Sequence, residues 1–352
     1  MSKEMAFIIS PGEEWDNYLD IFNDYELNDI YFHYDYLNLF VDDNSKAVIE
    51  SYVFRLNGEI FFMPYIRNPI NGSFDLWDFE TAYGYSGPIS TCEDKVFLDL
   101  AWKNFKLLLK ENKVIAGLIR FNPLLKNEKF CHSDYIKINH ERDTVWLDCN
   151  RSLDEVLSDY SKKHLKQINT LNEKGVLVKS CNNDDYLKKF AHIYIQRMNA
   201  IGARDEYHYS SDYFDKVKKL GKRNWIVYLA FTPNEDLMGG CLLLFSNKTC
   251  HYHLSGSIEK YKKYRPNDML RYKVTLDILN SDIKKMHFGG GRSKDPDDGL
   301  LAFKLKFSKQ ISQFKIGCCI VDKDKYNELC KNWDKENPEK KEFANFFLKY
   351  RF

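Results

Sequence analysis

Two apolar runs, Val48 to Leu56 and Glu59 to Ile66, flank Asn57-Gly58. Both runs predict strands, and Asn-Gly between them predicts a tight hairpin turn. Downstream the period lengthens. Glu93 to Asn112 carries apolar residues at helical spacing and predicts a helix with Val96, Leu100, Phe105, Leu108 and Leu109 turned inward. Val114 to Phe121 predicts a strand ending at Pro123, and Asp143 to Leu147 predicts another. Asp29 to Val41 is rich in aromatics and predicts a short helix, though its period is ambiguous. Phe74 to Pro88 has no clear period and predicts a loop holding Trp77, Asp78, Tyr83 and Tyr85.

The pattern then restarts. Ser152-Leu153-Asp154-Glu155 is a capping box that opens a helix, with Gly175 placed to end it. Asp185 to Ile201 and Ser211 to Leu220 predict two more helices. Trp225 to Phe231, Leu237 to Phe245 and Thr249 to Gly256 predict a strand meander. Pro266-Asn267 breaks the chain, and Leu270, Val274 and Ile278 follow at helical spacing. Lys284 to Phe288 predicts a strand running into Gly289-Gly290-Gly291. Ile311 to Val321 is strand-like, Asp322 to Pro338 is polar, and Lys340 to Phe352 predicts a final short helix. Each half thus runs helix, meander, helix, strand. That implies two related α/β domains, residues 1–150 and 151–317, each a mixed twisted sheet flanked by helices.

Composition narrows the function. Hydrophobic residues make up 44% of the 352, enough for two cores. Lys plus Arg is 52 and Asp plus Glu is 51, so stable nonspecific DNA binding is not expected. The nine cysteines are scattered and form no C-x-x-C. They predict reduced thiols in the cytoplasm, not a disulfide framework or a zinc cluster. MSKEMAFIIS has no apolar core of signal-peptide length, and no run reaches the length of a membrane span.

Chemistry concentrates between Thr249 and Phe307. Three glycines after a strand let the backbone approach a ligand or take positive φ. Phe303-Lys304 follows within Leu300 to Phe307, where strand alternation would place Lys304 and Lys306 on one face. Alternation from Cys250 would likewise align His251, His253 and Ser255. Two histidines alone do not complete a zinc site, so no metal is expected. Lys162, Lys163, His164 and Lys166 form either a solvated helix face or a phosphate contact. Arg204, beside Tyr207, His208 and Tyr209, suits a pyrophosphate or carboxylate, or simply pairs with Asp205 or Glu206. Tyr83 and Tyr85 around Gly84 offer stacking surface or buried loop support. No Ser-His-Asp or Cys-His set is preferred.

The ordered string Leu254-Ser255-Gly256-Ser257, Pro266 with Leu270, Phe288-Gly289-Gly290-Gly291, and Phe303-Lys304 with Phe307 resembles the FemABX-like branch of the GNAT acyltransferase superfamily. Asp29-Ile30-Tyr31-Phe32, Tyr83-Gly84-Tyr85-Ser86-Gly87-Pro88 and Ser161-Lys162-Lys163 fit the same pattern, so the resemblance spans nearly the whole chain. It implies two tandem GNAT-like domains, with 318–352 packing back on the first. It implies transfer of an aminoacyl or acyl group to an amine of a cell-envelope precursor, a peptidoglycan peptide or a nucleotide-linked amino sugar. No cofactor is expected to stay bound. The co-substrate would be aminoacyl-tRNA or acyl-CoA. Lys263-Tyr264-Arg265-Pro266-Asn267-Asp268 stands where CoA-dependent relatives carry a glycine-rich loop, and this departs from the CoA pattern. Lys304 and the Phe303 backbone are assigned to the oxyanion. Tyr83, Tyr85, Arg204, Tyr209, His253, Ser255, Gly290 and Lys162 are assigned to substrate, in a cleft between the domains. The alternatives are an acyl-CoA-dependent acetyltransferase and a non-catalytic nucleotide-sugar or RNA-end binding module.

Overall fold

The computed structural model describes residues 4–73 and 75–352. In chain order the elements are β1 (Met5–Ile9), α1 (Glu13–Ile21), α2 (Tyr34–Leu37), β2 (Val48–Leu56), β3 (Glu59–Pro69), β4 (Trp77–Glu80), β5 (Ile89–Ser90), α3 (Lys95–Glu111) and β6 (Val114–Arg120). There follow β7 (Ile136–Asp148), α4 (Leu153–Ser158), α5 (Lys162–Glu173), β8 (Leu177–Cys181), α6 (Asp184–Ala200) and α7 (Ser211–Val217). The chain continues through β9 (Trp225–Phe231), β10 (Leu237–Ser246), β11 (Thr249–Ser257), α8 (Pro266–Leu279), β12 (Lys285–Gly290), α9 (Gly299–Lys304), β13 (Gln310–Ile320) and α10 (Lys323–Glu336).

The chain divides into two compact units. The first runs to Glu141 and takes in Phe314–Phe352; the second is Arg142–Gln313.

In the first unit the strand order is β1-β2-β3-β4-β6-β13, with β5 on β3. The pair β4 and β6 is parallel, and the remaining pairs are antiparallel. The hairpin between β2 and β3 turns at Asn57 and Gly58, with φ of 54° and 89°, the double positive φ that Asn-Gly favours. On α3 the inner face is Phe97, Leu98, Ala101, Trp102, Phe105 and Leu109. Val96, expected inward, is 68% exposed. The bulk of Trp102 and Phe105 sets the phase of the helix against Tyr52, Phe61 and Phe79. The expected loop Phe74 to Pro88 holds β4; Phe74 lies outside the described residues. Asp322 to Pro338, read as polar, contains α10, capped by the Asp322 side chain. Its helical pattern was weak because Trp333 is its one buried residue. Near the end of the chain Arg351 pairs with Asp78, which is fully buried, and with Glu80.

In the second unit the order is β7-β12-β11-β10-β9-β8. The capping box at Ser152 is formed, with both reciprocal hydrogen bonds. The single helix expected from Ser152 to Gly175 is two helices. Ser161 accepts from the His164 N–H and starts α5 afresh, which ends the run of α4. The segment Leu300 to Phe307, read as a strand, begins with α9 instead. Asp298 caps it by accepting from the N–H groups of Leu300 and Leu301. Strands β11 and β12 are joined by α8, as β4 and β6 are by α3, and pair in parallel. Their pairing covers only Thr249, Cys250 and His251 against Lys285, Met286 and His287. Beyond those three residues the strands part. No helix among the described residues is long and apolar enough to cross a membrane.

Candidate active site

The parting of β11 and β12 organises the second unit. A bulge at His253 shifts the β10–β11 register, so that Leu254 opposes Leu242 and Tyr252 opposes Leu243. The simple alternation expected for His251, His253 and Ser255 is therefore broken. His251 is buried against His287, ring centroids 5.7 Å apart. His253 turns to Tyr213, whose hydroxyl lies 2.6 Å from Nε2. Burial pushes His253 down to about 3 and raises Tyr213 well above its usual range, so the pair is uncharged at neutral pH. Ser255 is half-buried on β11, opposite Cys241.

The three glycines serve the protein's own structure. Gly289 takes φ of +77° where the β12–β7 register shifts. A Cβ on Gly291 would meet the Asp298 carboxylate at 2.8 Å. That carboxylate also accepts from the N–H groups of Arg292 and Ser293. Burial opposes the charge on Asp298, but these backbone donors outweigh it and hold its pKa below the usual carboxylate value. The glycine turn and the start of α9 are thus fastened together by one side chain.

Lys304 ends α9 and is buried, while Lys306 is exposed. The helical geometry separates the two lysines that alternation had placed together. The Lys304 Nζ donates to the carbonyl of Gly290 at 2.6 Å. Burial, then the like charges of Arg271 and Arg142, hold its pKa well below the ordinary lysine value. Burial also keeps His287 neutral, with His251 and Lys304 adding to the effect.

Phe303 lines a pocket of about 400 Å³ with Ser257, Arg265, Pro266, Asn267 and Asp268 at the start of α8. Asp268 binds His164 Nε2 at 2.8 Å and Arg265 at 2.9 Å. His164, not Lys162, is the residue of the basic run that turns inward; Lys162 is exposed at the start of α5. Sequence reasoning missed Arg271, Asp298 and the His164–Asp268 pair. Serine three residues before His164 and aspartate just before the α9 run were the available signals.

The other expected residues have plain surroundings. Arg204 is half exposed and pairs with Glu206 at 3.5 Å. Tyr209 stacks between Tyr194 and Tyr213, at 5.8 and 4.1 Å. In the first unit, the Tyr83 carbonyl accepts from the Tyr36 hydroxyl, and Tyr85 packs edge-on against Tyr31 and Phe314. Among the described residues no group of three or more His, Cys, Asp or Glu is placed to hold a metal ion.

Each unit thus holds one parallel strand pair joined across a helix within a mixed sheet, β4 with β6 and β11 with β12. Residues 232–325 match the FemAB family. In structure the chain is similar to FemX, with a TM-score of 0.63 at 14% identity over 80% of this chain and 90% of that one. It is also similar to L-PGS from Bacillus licheniformis, at 0.56 and 9% identity, over 88% and 92% of the two chains. A tandem GNAT protein from the clavulanic acid biosynthesis pathway matches at 0.53 and 9% identity, over 91% and 99%. No curated protein matches in sequence. The chain thus has the fold of FemX, and its residues 232–325 carry the match to the FemAB family.

Proposed function

We propose that the chain is an N-acyltransferase that moves an aminoacyl or acyl group onto an amine of a cell-envelope precursor. The observation that carries this reading is Lys304, an amine buried at the open end of the parted strands and aimed at the Gly290 carbonyl. The acceptor amine attacks the acyl carbonyl, forming the C–N bond and an oxyanion. Collapse breaks the bond to the leaving oxygen or sulfur, which takes the proton that the amine gives up. A free alkylamine has a pKa near about 10, so it must arrive neutral or lose its proton in the site. The Lys304 ammonium faces the oxyanion. Because burial makes that ammonium a stronger acid, it also makes it a stronger hydrogen-bond donor.

An aminoacyl-tRNA donor is favoured over acyl-CoA because Arg265-Pro266-Asn267-Asp268 supplies no glycine at the start of α8. A peptidoglycan peptide or nucleotide-linked amino sugar is the acceptor, and the enzyme works on the cytoplasmic side. Arg204 and Tyr209 are proposed to contact it. The test is a transfer assay with an amino-sugar nucleotide and a peptidoglycan-peptide nucleotide, each with charged tRNA and with short acyl-CoAs. Transfer from charged tRNA is expected. Transfer from acyl-CoA alone would favour the acetyltransferase reading, and none with any pair would sink the proposal.

A further inference from the structure

Arg271 lies on α8, one turn beyond the pocket, and is 3% exposed. Its guanidinium carbon sits 4.0 Å from the Tyr252 ring centroid, 5.3 Å from those of Phe288 and Phe303, and 5.8 Å from that of Phe307. The faces of these rings attract the cation. They accept none of its directed N–H bonds. Nε and Nη1 are enclosed without a hydrogen-bond partner, and no carboxylate among the described residues lies within ion-pair distance. A charged group removed from water in this way is costly unless an anion meets it.

The neighbouring charges do not supply one. The Asp268 carboxylate is taken by Arg265 and His164, and that of Asp298 by backbone donors. Lys304 adds positive charge nearby. A second orphan atom lies four residues earlier on the same helix face: Asn267 Oδ1 is buried without a donor and belongs to the pocket wall. Of the four rings around Arg271, Phe303 is the one that also lines the pocket.

We propose that Arg271 is the anion receptor of this pocket, binding a ribose phosphate of the acyl donor, with Asn267 Oδ1 accepting from the adjacent hydroxyl. The planar fork of arginine matches phosphate oxygens two at a time, and the local excess of positive charge suits a group that carries up to two negative charges. The inference rests on the acyltransferase reading. A ribose phosphate is common to the 3′ end of RNA and to coenzyme A, so the shared chemistry is tested with both.

Binding is measured by calorimetry for the dinucleotide cytidylyl-adenosine, for coenzyme A, and for adenosine as the unphosphorylated control. Arg271→Met keeps the apolar contacts and removes the charge; Arg271→Lys keeps the charge and loses the fork. The full-length protein is expected to bind at least one phosphorylated probe and to bind adenosine at least tenfold more weakly. Arg271→Met should lose at least tenfold in affinity for that probe, and Arg271→Lys should lie between. The melting temperature of Arg271→Met should stay level or rise, because an unpaired buried charge is gone. Equal affinity in wild type and Arg271→Met would overturn the proposal. So would the failure of both phosphorylated probes to bind the wild type, whatever the melting temperature of Arg271→Met. Phosphate binding through Arg271 without any transfer would leave this inference standing and the acyltransferase reading fallen. Transfer with an unchanged donor Michaelis constant in Arg271→Met would do the reverse.

Discussion

Lys304 Nζ and the Gly290 carbonyl oxygen are 2.6 Å apart, so the last residue of α9 is tied to the glycine turn that precedes the helix. The amine is thereby held in one position before any substrate arrives, and preorganisation of that kind is where charge stabilisation gains most.

Lys304→Met should lower turnover by about 10²–10³, the usual effect of losing one oxyanion donor, with acceptor binding little changed. Met keeps the length of the side chain, so the fold should persist. Lys306→Met, at an exposed position, should change turnover little. Steady-state kinetics of both variants checks this, and near-normal turnover in Lys304→Met would remove the lysine from the mechanism.

The pH dependence has two opposite signs. Lys304 takes up its proton at 10.5 in the ordinary state and at a lower value when folded. Between those values the unfolded chain binds more protons, so the contribution of this group to stability rises with pH. If the Lys304 ammonium meets the oxyanion, activity should fall as pH climbs through the lowered folded pKa. The alkaline limb of turnover is expected well below 10.5. Arg271→Met removes a like charge and should move that limb upward, measured at saturating substrate. A limb in the same place in both proteins would refute the coupling.

Asp298→Ala should destabilise the second unit by about 1–2 kcal/mol, as the loss of a helix cap does. Its folded pKa is lowered, so its contribution is present above the ordinary carboxylate value and is lost as pH falls through the folded one. Urea unfolding at pH 7 checks the size, and equal midpoints for wild type and variant would show that the cap contributes nothing.

Arg204→Ala should leave stability within about 0.5 kcal/mol, because its pair with Glu206 is exposed. If Arg204 contacts the acceptor, the acceptor Michaelis constant should rise much more than turnover falls. An unchanged constant in the folded variant takes Arg204 out of the site.

What could be read from the sequence was local. Asn57-Gly58 and the Ser152 capping box each carry their geometry within four residues, and both formed. The ordered motifs around Phe303-Lys304 lie in the stretch, residues 232–325, that matches the FemAB family. Leu300 to Phe307 misled because alternating lysines and apolar residues fit a strand as well as the end of a helix; the Asp298 cap decided for the helix. Arg271 was illegible. Between Leu270 and Tyr272 it reads as a solvated helix residue, and its burial depends on rings from β11, β12 and the α9 region. The His253 bulge was hidden too, since an extra residue in a strand leaves no mark in an alternating pattern.

The pairing of Arg351 with Asp78 spans 273 residues, and this sets an order of events as the chain is made. All of Arg142–Gln313 emerges before the last part of the first unit does. The second unit can therefore finish folding while β6 still lacks β13 and the Asp78 carboxylate still lacks its cation. The first unit begins earlier and closes later. A ribosome stalled just short of Arg351 would hold a nascent chain whose second unit resists protease and whose first unit is still cut.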